Sequence, residues 1–156
     1  MNAATVLDLF KDITRIPRES GHEGPMTAFL QDFAAKHKLE CRTDKTGNVV
    51  IVKEAAPGKE QVPTLVLQAH QDMVCEKNAH FDFDFLTQPI PFEVEDGWMV
   101  AKNTTLGADD GIGIAACLAL LAGDLPTGKL ECLFTISEET GMDGAFARSL
   151  LMSSPL

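Results

Sequence analysis

One imidazole and several carboxylates collect in three short stretches of this 156-residue sequence, each where a strand would end or a turn would open a helix. His70-Gln71-Asp72 directly follows the apolar run Thr64-Leu65-Val66-Leu67-Gln68-Ala69. Residues two apart in extended chain point the same way, so His70 can bind a metal while Asp72 orients or polarises the ring. The alternative is a plain polar strand end. In Gly107-Ala108-Asp109-Asp110-Gly111-Ile112-Gly113, glycines flank two adjacent carboxylates just before a helix, where the chain must bend sharply. Either aspartate can cap that helix, whereas a phosphate-binding turn is disfavoured because two anionic side chains repel the ligand. Ser137-Glu138-Glu139-Thr140-Gly141 follows the apolar residues 130–136. Adjacent carboxylates at a strand end repel unless a cation or proton lies between them, and one can then ligate while the other serves as a general base. An ordinary first helical turn, where glutamate suits the dipole, is the competing reading.

The elements that must position these groups are legible from periodicity. Helical spacing places Val6, Leu7, Phe10 and Ile13 on one face between about residues 4 and 16, and Pro17 ends that helix. A second helix runs from Pro25 to about His37 with Met26, Phe29, Leu30 and Phe33 inward. Strands follow at residues 48–52 and 64–69, separated by the turn Ala55-Ala56-Pro57-Gly58-Lys59. Glu95-Asp96-Gly97 reads as a hairpin turn between Phe92-Glu93-Val94 and Trp98-Met99-Val100. A helix over about 111–121 stops at Gly123 and Pro126, and the last strand covers 130–136. A further crossover helix is expected over 138–151, and Met152-Ser153-Ser154-Pro155-Leu156 reads as a cut end. Alternating strands and helices give an α/β class with at least one antiparallel hairpin. Three strand ends then carry His and carboxylate groups to one sheet edge, a mixed ligand set that suits zinc or another hydrolytic divalent metal. A carboxylate between two sites could bridge two metals ~3.5–4 Å apart.

Composition narrows the partners. Thirteen Lys and Arg against 23 Asp and Glu give a net charge of −10, which argues against a nucleic-acid backbone as ligand. No apolar run approaches the ~18–20 residues of a membrane span, and residues 1–5 lack the basic and apolar segments of a secretory signal. Cys41, Cys75, Cys117 and Cys132 form no CxxC pair and are expected as reduced thiols of a cytoplasmic protein, Cys117 as a small core residue. His22 is expected at the surface or as a cap, His37 exposed near a helix end, His80 beside the alternating segment Phe81-Asp82-Phe83-Asp84-Phe85 in a packed edge or loop, and Trp98 as a core or hairpin anchor.

Residues 67–74, 104–113 and 137–141 resemble the metal-site motifs of the M20 metallopeptidases, in the dipeptidase branch, and the segments Phe10-Lys11-Asp12-Ile13 and 16–23 resemble that branch's beginning. The resemblance implies a three-layer, zinc-peptidase-like α/β catalytic domain with a mixed, mostly parallel sheet. It implies two Zn2+ ions per complete site, with Co2+ or Mn2+ as substitutes. His70 would ligate one metal with Asp72 as the catalytic aspartate that orients it, Asp109 would bridge, Glu138 would be the general base, and Glu139 would ligate the other metal. The implied reaction is hydrolysis of dipeptides, Xaa-His or broader; an N-acyl amino acid amidohydrolase of the same fold and a non-catalytic module are the alternatives. The family completes its site with a later Asp and a late His. Asp143 comes only four residues after Glu139, and no His follows His80. Residues 1–156 are therefore expected to be the first part of a catalytic domain whose remainder and lid or dimerisation domain lie elsewhere. The full-length parent is expected to be a homodimer, and the chain alone is expected to bind metal weakly with little or no peptidase activity.

Overall fold

The computed structural model describes residues 3–147. In order it contains α1 (Ala3–Ile13), α2 (Gly24–His37), β1 (Glu40–Thr43), β2 (Val49–Lys53), β3 (Leu65–His70), β4 (Glu93–Glu95), β5 (Trp98–Val100), α3 (Ala108–Ala122), β6 (Leu130–Thr135), α4 (Glu138–Gly141) and α5 (Asp143–Phe146). Four strands form the main sheet in the order β1-β2-β6-β3, and β4-β5 is a separate hairpin.

The two inner strands explain why their sequences are apolar almost throughout. In β2 Val49, Val50, Ile51 and Val52 are all buried, as are five of six residues in β6. Alternation then sorts the faces. Val49, Ile51, Leu130, Cys132, Phe134 and Ala69 join Phe10 and Ile13 of α1, Met26, Leu30 and Phe33 of α2, and Ile114, Cys117, Leu118 and Leu121 of α3 in one core. The three long helices thus cover one face of the sheet, and a second helical layer has no long helix among the described residues. Each large aliphatic or aromatic side chain buried there contributes about 1.5–3 kcal/mol.

The expected α/β class and mixed sheet are observed. The balance of strand senses differs from the expected mostly parallel sheet: β3–β6 is parallel, while β1–β2 and β2–β6 are antiparallel. The physical reason is connection length, since the short turn between β1 and β2 permits only a hairpin, whereas β3 reaches β6 through the α3 crossover. Strand β1 was not anticipated, because Glu40-Cys41-Arg42-Thr43 is a half-exposed edge with no apolar alternation to betray it. Trp98 is 75% exposed, which corrects its expected role as an anchor: the short hairpin packs no sheet face beneath it. The expected helix over 138–151 is interrupted at Met142, whose left-handed backbone (φ 59°, ψ 33°) separates two single turns; its part beyond residue 147 and the end read as cut lie outside the described residues. Cys117 is buried, and His22, His37 and His80 are exposed.

Candidate metal centre

Register brings the acidic loops together. His70, the last residue of β3, pairs with Thr135, the last residue of β6, and the Gln71 N–H donates to the Thr135 carbonyl at 2.7 Å. Two parallel strands therefore stop level with each other, and the chain leaves them as Gln71-Asp72 and Ser137-Glu138-Glu139. This is the carboxyl edge of the parallel pair, where α/β sheets bind ligands. The third stretch arrives at the start of α3. Asp109 and Asp110, joined by a cis peptide, are not yet helical (ψ 115° and 34°), so the regular helix begins at Gly111.

The two aspartates have divided the roles left open by the sequence. Asp110 is half-buried and caps: its Oδ1 accepts the Gly113 N–H at 3.1 Å and its Oδ2 accepts the His70 N–H at 3.4 Å. Asp109 is free of that duty, with its side chain 86% exposed and Oδ1 3.0 Å from His70 Nε2. On the other side of the imidazole, Nδ1 lies 3.1 Å from the Asp72 carbonyl and 3.3 Å from Asp72 Oδ1. Asp72 is wholly buried. Its Oδ1 accepts the Glu138 N–H at 3.0 Å, and its Oδ2 accepts the Glu139 N–H at 3.1 Å and the Ser20 hydroxyl at 2.7 Å. One carboxylate thereby fixes the imidazole and the backbone of the Glu-Glu turn together.

The donor set fits a metal. His70, Glu138 and Glu139 each offer one ligand atom, and these three atoms lie within 4.8 Å of one another. Glu138 Oε2 is 3.9 Å from His70 Nε2, while Asp109 Oδ1 is at 3.0 Å. Tetrahedral zinc with ligand bonds of ~2.0–2.1 Å places its donors about 3.3 Å apart, between those values. A nitrogen and several carboxylate oxygens are also the ligand type zinc and its hydrolytic relatives prefer. Asp143 stands exposed at the start of α5, outside this group.

Electrostatics agree with the crowding of acids. Burial disfavours charge on His70, yet hydrogen bonds to Asp72 and Asp109 outweigh it and raise the ring's pKa to about 9. Burial likewise opposes ionised Asp72, but its bonds from His70, Ser20 and the two glutamate amides hold it well below the usual carboxylate range. Burial pushes Asp110 and Glu139 up, with neighbouring carboxylates adding to both.

Three supporting residues carried no chemical signal in the sequence. Arg18 is almost fully buried, and its Nη1 donates to the carbonyls of Gln71 (3.2 Å) and Asp72 (2.7 Å) while Nη2 donates to that of Gly107. Burial lowers its pKa to about 10 against the opposing pull of nearby anionic groups, Asp72, Asp110 and Asp109 among them. Gln71 donates to the Gly47 and Phe134 carbonyls, both at 3.0 Å, and accepts from Thr27 Oγ1 at 2.9 Å. Glu23 reaches Ser137. The usable signal was glycine: a Cβ at Gly107 or Gly111 would come within 2.5 and 2.8 Å of the Arg18 guanidinium, so these glycines mark where it approaches the backbone.

No family model matches the chain. A cytosol non-specific dipeptidase of Escherichia coli is 43% identical over 140 residues, which cover 89% of this chain and 29% of that protein. The crystal structure of aminoacylhistidine dipeptidase from Vibrio alginolyticus superposes with a TM-score of 0.89 at 45% identity, covering 94% of this chain and 30% of that one. A Bacillus subtilis dinuclear metal-binding peptidase of the M20 family shares the fold alone, with a TM-score of 0.53 at 16% identity over 87% of this chain and 36% of its own. The chain spans under a third of the length of the first two. The motifs, the level strand ends they occupy and these likenesses together make this chain a member of the M20 peptidase family.

Proposed function

We propose that residues 1–156 form the first part of the catalytic domain of a metal-dependent dipeptidase, acting on dipeptides including those that end in histidine. The observation that supports this most is the grouping of His70, Glu138 and Glu139, whose ligand atoms lie within 4.8 Å of one another, with Asp109 3.0 Å from His70 and Asp72 buried behind the imidazole. The names of the two relatives above 40% identity, both dipeptidases, supply the substrate class.

In this reading His70 and Glu139 would each help to hold one of two divalent ions, zinc or a substitute, and Asp109 would be the carboxylate shared between them. Such ions supply the Lewis acidity that activates water and polarises a peptide carbonyl. The rest is done by the chain. Asp72 holds the His70 Nδ1–H, which leaves the Nε2 lone pair facing the site. Glu138 holds the proton taken from the attacking water and delivers it to the leaving amine, for which its half-exposed carboxylate, 3.9 Å from His70 Nε2, is well placed. The remaining Asp and His ligands and the second domain belong, in this reading, to the rest of a longer protein.

The test is dipeptide hydrolysis by that longer protein with and without Glu138→Gln. Loss of about 10²–10⁴-fold in kcat with metal content unchanged is expected of a general base. A Glu138→Gln protein that keeps most of its turnover overturns the assignment, and brisk zinc-dependent turnover by this chain alone overturns the partial-domain reading.

A further inference from the structure

Glu23 is a buried carboxylate, 6% exposed, that takes no part in the proposed chemistry. It occupies the N-cap position of α2, yet its side chain makes no cap bond to its own helix. Oε1 instead accepts the Gly21 N–H at 3.0 Å and, 114 residues along the chain, both the N–H (2.9 Å) and the hydroxyl (3.0 Å) of Ser137. No cation pairs with it among the described residues. Burying an ionised carboxylate costs several kcal/mol unless donors replace its water, so an acid retained here has a geometric use that an apolar side chain could not serve.

That use lies in Ser137. The residue adopts a left-handed backbone (φ 51°, ψ 41°), which costs a non-glycine residue about 1–2 kcal/mol and persists only where its surroundings over-determine it. The same turn takes the chain off β6 so that the next two N–H groups point at Asp72 and the next two side chains stand near His70. Glu23 grips Ser137 by both its amide and its hydroxyl, and α2, anchored in the core through Met26 and Leu30, holds Glu23.

We propose that Glu23 is a positioning residue, which locks Ser137 in its left-handed turn and so sets the Glu138–Glu139 pair against Asp72 and His70. Its importance for metal binding rests on the function proposed above; the positioning itself does not.

The test follows amide hydrogen exchange residue by residue, together with Co2+ titration, in the 156-residue chain. In Glu23→Ala the Glu138 and Glu139 amides should exchange at least about tenfold faster, while the Cys132 and Phe134 amides in β6 stay within about twofold. Glu23→Gln, which keeps an acceptor oxygen at the same reach, should restore both amides, and Co2+ affinity should fall about tenfold in the alanine variant and recover in the glutamine one. Glu23→Asp withdraws the acceptor by one methylene and reads the same amides should the alanine variant not fold. Unchanged exchange at Glu138 and Glu139, or equal acceleration throughout β6, overturns the proposal. Faster exchange at those two amides with unaltered Co2+ affinity supports the positioning and counts against the metal reading instead.

Discussion

Arg18 carries a full charge into the interior and directs it at three backbone carbonyls from two different loops. Arg18→Met should leave all three without that donor and cost about 2–4 kcal/mol, read as a lower urea midpoint. Arg18→Lys should recover only part of the loss, because an ammonium cannot span the three acceptors as a planar guanidinium does. Asp44 makes a second prediction. Its Oδ1 accepts the N–H groups of Thr46, Gly47 and Asn48, all at 2.9 Å, and Oδ2 accepts from the Asn48 amide, which also reaches Gly144. Burial opposes its charge, but these bonds outweigh it and lower its pKa. A depressed folded-state pKa contributes stability above the unfolded value of about 4 and loses it as pH falls through the folded value. The urea midpoint should therefore fall as pH drops below about 4, and Asp44→Asn should flatten part of that fall. At this scale the sequence was partly readable. His70, Asp72, Asp109, Glu138 and Glu139 stood out because metal chemistry would call for those residue types, and the structure places them near one sheet edge. Arg18, Gln71 and Glu23 did not, because a side chain whose partners are backbone groups or a serine 114 residues away leaves no spacing to detect.

Helix ends show what local sequence can and cannot specify. α2 closes with the Leu39 N–H on the Ala34 carbonyl (2.9 Å) and the Lys38 N–H on the Ala35 carbonyl (3.1 Å), which requires a left-handed Lys38 (φ 56°). Glycine suits that position better, so exposed Lys38→Gly should stabilise the fold by about 0.5–1 kcal/mol, read as a higher urea midpoint. Gly111→Ala should do the reverse. Its Cβ would meet Arg18 Nη2 and Phe10 Cε2 at 2.8 Å, a crowding expected to cost about 1–3 kcal/mol and measured in the same way. Periodicity located α1, α2, the inner strands and the body of α3, because their apolar faces must be continuous to pack. It failed where continuity is not required: at β1, an exposed edge, and at residues 138–146, where Met142 interrupts a helical pattern.

At the scale of the molecule, one register decision does most of the functional assembly. Pairing His70 with Thr135 ends two parallel strands together, and a one-residue slip would turn the Cys132 and Phe134 side chains out of the helical core. The site is thus enforced by the same packing that stabilises the sheet, and five clustered carboxylates against one arginine and one histidine leave an excess of negative charge that a cation would relieve. The measurement that tests this centre most directly is X-ray absorption at the zinc edge on the zinc-loaded chain. The account predicts a shell of imidazole nitrogen and carboxylate oxygens at ~2.0–2.1 Å, with the imidazole signal lost in His70→Ala. A sulfur shell at ~2.3 Å, or a spectrum unchanged by His70→Ala, would contradict it.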